Sequence, residues 1–164
     1  MDCSKIKFKD KFEADNDICE ICGCDGMRAV GYNKKEDLLK YECPECGAVI
    51  IEDGSYNTTI IKGEKRDWSK YFAENLSLPF EAVVVEGNDA DIFSRGRSGP
   101  NRNNDILTVI SVGRNSARSG VMVTVKKGWK KYKCPIEDLE PTDKKSANAK
   151  LLYNYGNWRG SQYL

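Results

Sequence analysis

Hydrophobic and polar residues alternate along short segments in the first third of the chain, at the spacing expected of half-buried strands. Residues 27–33 (MRAVGYN) and 38–44 (LLKYECP) flank a polar turn, which predicts a hairpin. Residues 48–53 (AVIIED) supply a third predicted strand. The pattern therefore predicts a small three-stranded sheet in this part of the chain.

The apolar spacing changes from two residues to three or four near the middle of the chain, which predicts an amphipathic helix. Asp67 is a suitable N-cap, and Pro79 lies beyond the predicted end. The apolar face is formed by Trp68, Tyr71, Phe72 and Leu76.

Four β-rich segments follow without an intervening helix, which predicts a small antiparallel barrel or sandwich. A short helix is expected over residues 147–153, and Tyr155 and Trp158 are expected to close the core as apolar anchors. The β-rich segments are residues 79–86, 105–113, 120–127 and 129–135.

Residues 87–104 show no periodicity and contain three glycines and a proline. A connection of this length is expected to be functional or disordered. It begins with acidic residues, Asp89 and Asp91, and continues with basic ones, Arg95 and Arg97.

The composition adds broad limits to this outline. With 164 residues, 40% of them hydrophobic, the chain can form one domain or two small ones. No apolar run reaches the roughly 18 residues that a membrane-spanning helix needs, and the N-terminus lacks the pattern of a signal peptide. We expect a cytoplasmic protein with no membrane partner.

The chain contains no histidine. This excludes Ser-His-Asp and Cys-His catalysis, as well as catalytic zinc held by histidine. Because histidine is also the commonest general acid–base, we expect a protein that is not an enzyme.

Cysteine spacing gives the clearest chemical signal. Seven cysteines, an odd number, argue against a disulfide framework in a cytoplasmic protein. Four of them form two Cys-x-x-Cys pairs separated by 20 residues, within the range typical of a zinc site. The predicted ligands are Cys19, Cys22, Cys43 and Cys46.

The residues around each pair agree with metal binding. Two intervening residues let a tight turn direct both sulfurs at one ion, and Gly23 and Gly47 permit the positive φ that such a turn needs. The repeated Cys-x-x-Cys-Gly resembles the knuckles of zinc-ribbon proteins, which implies one structural zinc with no open coordination position. A dithiol redox pair, unliganded cysteines and a rubredoxin-like iron site remain as alternatives.

The other three cysteines are expected to be ordinary thiols. Cys24 is interpreted as a spare small residue beside the first knuckle, with a fifth-ligand role as the alternative. Cys3 is isolated, and Cys134 at a strand end is expected to be buried.

A set of apolar and turn positions is spread over residues 68–158: Trp68, Leu78-Pro79-Phe80-Glu81-Ala82, Asp105-x-x-x-Val109, Gly120-Val121-x-Val123, the segment from Cys134 to Glu140, and Tyr155-x-x-Trp158. Together these positions resemble the small calcium-binding protein family first associated with cyanobacteria. The resemblance implies a compact SH3-like barrel rather than an EF-hand.

The same resemblance implies calcium binding by carboxylates at strand ends and loops. By position, the candidate ligands are Glu81, Glu86, Asp89, Asp91, Glu137 and Asp138. The sequence as a whole therefore predicts a mainly β protein, with a zinc ribbon over residues 1–62 and a small SH3-like antiparallel β-barrel over residues 63–164.

Charge supports a second hypothesis. Residues 1–65 carry 10 basic and 14 acidic residues, whereas residues 66–164 carry 16 basic and 11 acidic ones. The segment KKGWKKYK combines lysines with aromatic residues, as in surfaces that bind RNA, DNA or ribosomal partners. Lysines that protect a hairpin edge are the simpler interpretation, and a protein partner is a further one. Candidate contacts are Lys127, Trp129, Lys131, Arg95 and Arg97.

Overall fold

The computed structural model describes residues 6–8, 17–85 and 104–162. The predicted mainly β class is confirmed, since 43% of these described residues are strand, arranged in two antiparallel sheets. Two compact units are present: unit 1 runs to Arg66 and takes in the residues from Gly156 onwards, and unit 2 is Asp67–Tyr155. No helix in the described part of the chain is long and apolar enough to cross a membrane.

Unit 1 contains a four-stranded sheet whose strands follow chain order. The three predicted strands are confirmed, and a fourth was missed because most of its side chains are exposed and show no alternation. The strands are β1 (Arg28–Asn33), β2 (Leu38–Glu42), β3 (Val49–Asp53) and β4 (Thr58–Lys62).

The buried core of unit 1 is small and rich in sulfur. Ile21, Met27, Tyr41 and Ile50 pack around the cysteines of the two knuckles. A core of this size stabilises a fold only modestly, so a structural metal would supply much of the remaining free energy.

Unit 2 begins with helix α1 (Trp68–Asn75), as the apolar spacing predicts. The Asp67 side chain accepts a hydrogen bond from the Lys70 amide at 3.2 Å, which confirms it as the N-cap. The apolar face of α1 buries Trp68 and Phe72.

The second sheet has the order β8-β7-β6-β5-β9, so β8 is an edge strand. Each predicted β segment contains a strand, but pairing among the described strands leaves the sheet open, and the predicted barrel is not confirmed. A 3₁₀ turn (Ile136–Asp138) precedes the last strand. The strands are β5 (Phe80–Val84), β6 (Ile106–Ser116), β7 (Gly120–Lys127), β8 (Lys130–Pro135) and β9 (Leu139–Pro141).

The final helix, α2 (Ala147–Ser161), is longer than predicted. Asparagines and glycines lower its intrinsic propensity after residue 153, but tertiary contacts hold the last turns. Tyr155 is buried against Trp68 and Phe72, with ring centroids 5.2 and 5.1 Å away, as expected of a core anchor. Trp158 does not close the same core, because it belongs to unit 1.

Candidate metal centre

The first knuckle is closed by two backbone hydrogen bonds. The Gly23 amide donates to the Cys19 carbonyl at 2.8 Å, and the Cys19 amide donates to the Cys24 carbonyl at 2.9 Å. Gly23 has φ +71°, which confirms the predicted left-handed turn. These bonds fold the chain back so that its thiols face one point.

The second knuckle repeats this arrangement. The Gly47 amide donates to the Cys43 carbonyl and the Cys43 amide to the Ala48 carbonyl, both at 2.9 Å. Gly47 has φ +69°. In this repeat, Ala48 occupies the position that Cys24 occupies in the first knuckle.

The structure brings the four predicted ligands together, with their sulfurs all within 4.8 Å of one another. The Cys19 and Cys46 sulfurs are 3.7 Å apart, and those of Cys22 and Cys43 are 3.6 Å apart. A tetrahedral ion with metal–sulfur bonds of about 2.3 Å requires sulfur–sulfur distances of about 3.8 Å. The donor set and its spacing thus fit one tetrahedral ion such as zinc.

Protonation of the thiols would compete with metal binding. A hydrogen bond from Cys22 lowers the pKa of Cys19 to about 5, and the same bond, together with burial, raises the pKa of Cys22. Burial raises the pKa of Cys46 to about 12. Because a metal binds thiolates, loading would release protons and weaken as the pH falls.

The end of α2 contacts the first knuckle from outside. The Trp158 indole Nε1–H donates to the Glu20 carbonyl at 2.8 Å, and the Asn157 amide group donates to the Gly23 carbonyl at 3.2 Å. Both carbonyls belong to the turn that carries Cys19 and Cys22, so α2 holds that turn in place. Sequence reasoning missed this contact, since residues 138 positions apart give no local signal.

Cys24 does not lie apart from the thiol cluster. Its side chain is 2% exposed and its sulfur is 3.2 Å from that of Cys43. Burial raises its pKa to about 11. Cys134 is buried as expected, which raises its pKa to about 12, and Cys3 lies outside the described residues.

The candidate calcium ligands that the structure describes do not form a cluster. Glu81 is exposed on β5, whereas Glu137 and Asp138 are half-buried in the 3₁₀ turn. Among the described residues, the only group of three or more metal-ligating side chains is the cysteine cluster. The remaining candidates, Glu86, Asp89 and Asp91, lie outside the described residues.

Backbone bonds hold together the residues that flank positions 86–103. The Val85 amide donates to the Asp138 carbonyl at 2.8 Å, and the Asn104 amide donates to the Val84 carbonyl at 2.9 Å. Nearby, the Asp105 carboxylate accepts a hydrogen bond from Lys127 Nζ at 2.7 Å. Asp105 and Asp138 thus lie beside Val85 and Asn104, the described residues that flank this segment. Asp105 was not among the candidate calcium ligands predicted from the sequence.

The lysine-rich hairpin is formed by β7 and β8. Lys126 pairs with Lys131 across the strands, and Lys127 pairs with Lys130, so Lys127 and Lys131 lie on opposite faces. The turn at Gly128, with φ +60°, breaks the alternation that would have placed them on one side.

Trp129 lies in the turn of this hairpin and is 84% exposed. Lys127 is engaged by Asp105, which leaves Lys126 and Lys131 as the better candidates for contact with an anion. Arg95 and Arg97 lie outside the described residues.

Comparison with known proteins identifies a family. No curated protein and no solved structure gives a significant match. The family model described as calcium binding matches residues 58–159, which is more than half of the chain and includes every described strand of unit 2. The chain therefore belongs to this calcium-binding family.

Proposed function

We propose that the protein is a non-enzymatic metal-binding protein that binds calcium through unit 2 and holds one structural zinc in unit 1. The observation that carries the calcium proposal is the family match, since it covers the whole of the second sheet. The zinc proposal is supported by four thiols whose spacing fits a tetrahedral ion.

Acidic residues beside the two ends of segment 86–103 support a calcium site at that end of the sheet. Calcium binds about six to eight oxygens at roughly 2.3–2.6 Å, supplied by carboxylates, backbone carbonyls and water. Asp105 and Asp138 flank the segment that contains Glu86, Asp89 and Asp91. Lys127 already neutralises Asp105, so a calcium ion that used this carboxylate would have to displace an ammonium group.

Calorimetry tests the calcium proposal. Calcium chloride is titrated into the zinc-loaded full chain at about 0.1 M salt, where exposed charges more than about 10 Å apart are largely screened. We expect saturable binding below millimolar calcium, which Asp89→Asn combined with Asp91→Asn abolishes. Glu74→Gln, an exposed carboxylate on α1, is the matched control and should bind as the wild type does. A wild-type chain that shows neither heat nor amide NMR shifts would refute calcium binding.

Metal analysis tests the zinc proposal. Protein purified without added zinc should contain one zinc per chain, and Cys46→Ser should contain clearly less, because three thiolates bind zinc more weakly than four. Cys134→Ser, a buried thiol of unit 2, is the control and should retain the metal. Wild-type protein with no zinc, or with iron and its visible absorption, would contradict the assignment.

A second candidate function is binding of single-stranded nucleic acid by the β7–β8 hairpin. Lys126 and Lys131 face each other across the strands, and like charges in direct opposition are destabilising unless anions lie nearby. In the neighbouring pair, Lys127 already has the Asp105 carboxylate beside it. Protection of the β8 edge accounts for lysines but not for the exposure of Trp129, an aromatic side chain of the kind that stacks on bases. Lys130 Nζ lies over this ring, 5.4 Å from its centroid, so a base would share the ring with the ammonium group or displace it.

Fluorescence anisotropy with a labelled single-stranded RNA tests this second candidate. Each neutralised phosphate contributes about −0.7 to the slope of log K against log salt, so Lys126→Gln with Lys131→Gln should reduce the slope by about 1.4. Lys34→Gln with Lys35→Gln, exposed in the β1–β2 turn of unit 1, is the charge-matched control. Absence of salt-sensitive binding would leave a protein partner as the remaining hypothesis for this surface.

A further inference from the structure

The two knuckles differ at one equivalent position. Cys24 and Ala48 each follow a left-handed glycine, and the carbonyl of each accepts the amide of the first cysteine in its knuckle. Since the second knuckle folds with a methyl group at this position, the backbone turn does not require a thiol there. The presence of a cysteine in the first knuckle needs a separate explanation.

The environment of the Cys24 sulfur provides one. Its side chain is 98% buried and its sulfur lies 3.2 Å from that of Cys43, so the thiol faces the cluster rather than solvent. The separation is shorter than the roughly 3.8 Å edge of a relaxed zinc–sulfur tetrahedron. The two sulfurs therefore suit alternative occupation of one coordination position better than simultaneous coordination.

The other sulfur–sulfur contacts show which corner of the site Cys24 adjoins. Cys46 contacts Cys19 at 3.7 Å, whereas Cys22 contacts Cys43 at 3.6 Å, so these two pairs are opposite edges of the tetrahedron. Cys24 lies at the Cys43 corner. A thiolate at this position could thus replace Cys43 but not the ligands at the other corners of the tetrahedron.

We propose that Cys24 is a reserve ligand that takes the coordination position of Cys43 when the Cys43 thiolate is absent. This inference rests on the proposed zinc function of the cluster. It predicts an asymmetric response: loss of Cys43 is compensated by Cys24, and loss of Cys46 is not.

Cobalt substitution measures this directly, because each thiolate bound to cobalt adds to the charge-transfer absorption. The full chain is compared as wild type, Cys24→Ala, Cys43→Ser and Cys46→Ser, and as the two double variants that combine Cys24→Ala with each serine substitution. Alanine is chosen because Ala48 shows that the turn accommodates it.

Wild type and Cys24→Ala should show the absorption of four thiolates. Cys43→Ser should retain that absorption and should bind zinc with an affinity within about tenfold of wild type. The double variant, with Cys24→Ala added, should lose a quarter of the absorption and bind zinc at least a further tenfold more weakly. Cys46→Ser should lose a quarter of the absorption whether or not Cys24 is present.

The outcomes separate the two proposals. If wild type binds one metal but Cys43→Ser and its double variant have equal absorption and affinity, the reserve-ligand inference is overturned and the zinc proposal stands. If wild type binds no metal, the zinc proposal itself fails.

Folding of the Cys43→Ser variant is followed by amide NMR after refolding with one equivalent of zinc. The single variant should recover the dispersed signals of unit 1 and the double variant should not. Equal failure of both variants counts against a role for Cys24.

Discussion

Trp158→Phe is the sharpest test of how α2 supports the metal centre. The substitution retains an aromatic ring but removes the Nε1–H that donates to the Glu20 carbonyl at 2.8 Å. Glu20 lies between Cys19 and Cys22, in the turn that directs both thiols at the metal. We therefore expect the variant to bind zinc more weakly than the wild type.

The size of the effect follows from one hydrogen bond. A neutral intramolecular hydrogen bond contributes about 0.5–1.5 kcal/mol net, because its loss is partly offset by hydration of the half-buried groups. Metal binding and folding are coupled in small zinc units, so a loss of knuckle stability becomes a loss of metal affinity. A change of about 1 kcal/mol corresponds to roughly fivefold weaker zinc binding.

Competition with a chromophoric chelator provides the measurement. Trp129→Phe is the matched control, since it makes the same substitution at an exposed position in unit 2 and should leave zinc affinity unchanged. If the two variants bind zinc equally well, to within twofold, the hydrogen bond from α2 does not support the knuckle.

Three further predictions concern stability. Tyr155→Phe removes the hydroxyl that accepts a hydrogen bond from the buried Val121 amide at 2.9 Å. Urea denaturation should therefore show a free energy of unfolding lower by about 1–3 kcal/mol, whereas Tyr153→Phe at an exposed position should lower it by less than about 0.5 kcal/mol. Equal losses in the two variants would contradict this. Burial, with neighbouring acidic charges, raises the pKa of Glu52. Glu52→Gln should therefore stabilise the zinc-loaded chain at neutral pH, and the gain should shrink as the pH falls into the range where carboxyl groups ordinarily titrate. A difference in melting temperature between variant and wild type that does not change with pH would argue against this cause. In Gly47→Ala the added Cβ meets no atom within 4 Å, so backbone strain alone should lower the free energy of unfolding by about 1–2 kcal/mol. An unchanged midpoint in chemical denaturation would exclude such strain.

Local features of the sequence predicted local structure well. The knuckles were predictable because cysteine spacing and the glycines at 23 and 47 encode a turn that needs no distant partner. Helix α1 was predictable because its apolar spacing, N-cap and following proline agree. In each case the physical cause lies within about ten residues of the feature.

Features that depend on distant partners or exact register were not predictable. Strand β4 forms because β3 offers it an unpaired edge, although its own side chains are mostly exposed. The faces of Lys127 and Lys131 depend on a two-residue turn, and the proximity of Cys24 to Cys43 depends on how the two knuckles meet. Which carboxylates would bind calcium also depends on tertiary placement, and half of the candidates lie outside the described residues.

The bond between Glu20 and Trp158 also orders events during biosynthesis. At about 5–20 residues per second, a ribosome needs roughly 7–28 s to add the 138 residues that separate the two positions. The first knuckle therefore emerges and can meet metal well before its indole partner exists. A nascent chain would bind zinc with lower affinity than the finished protein. It would reach full zinc affinity only after α2 has been synthesised.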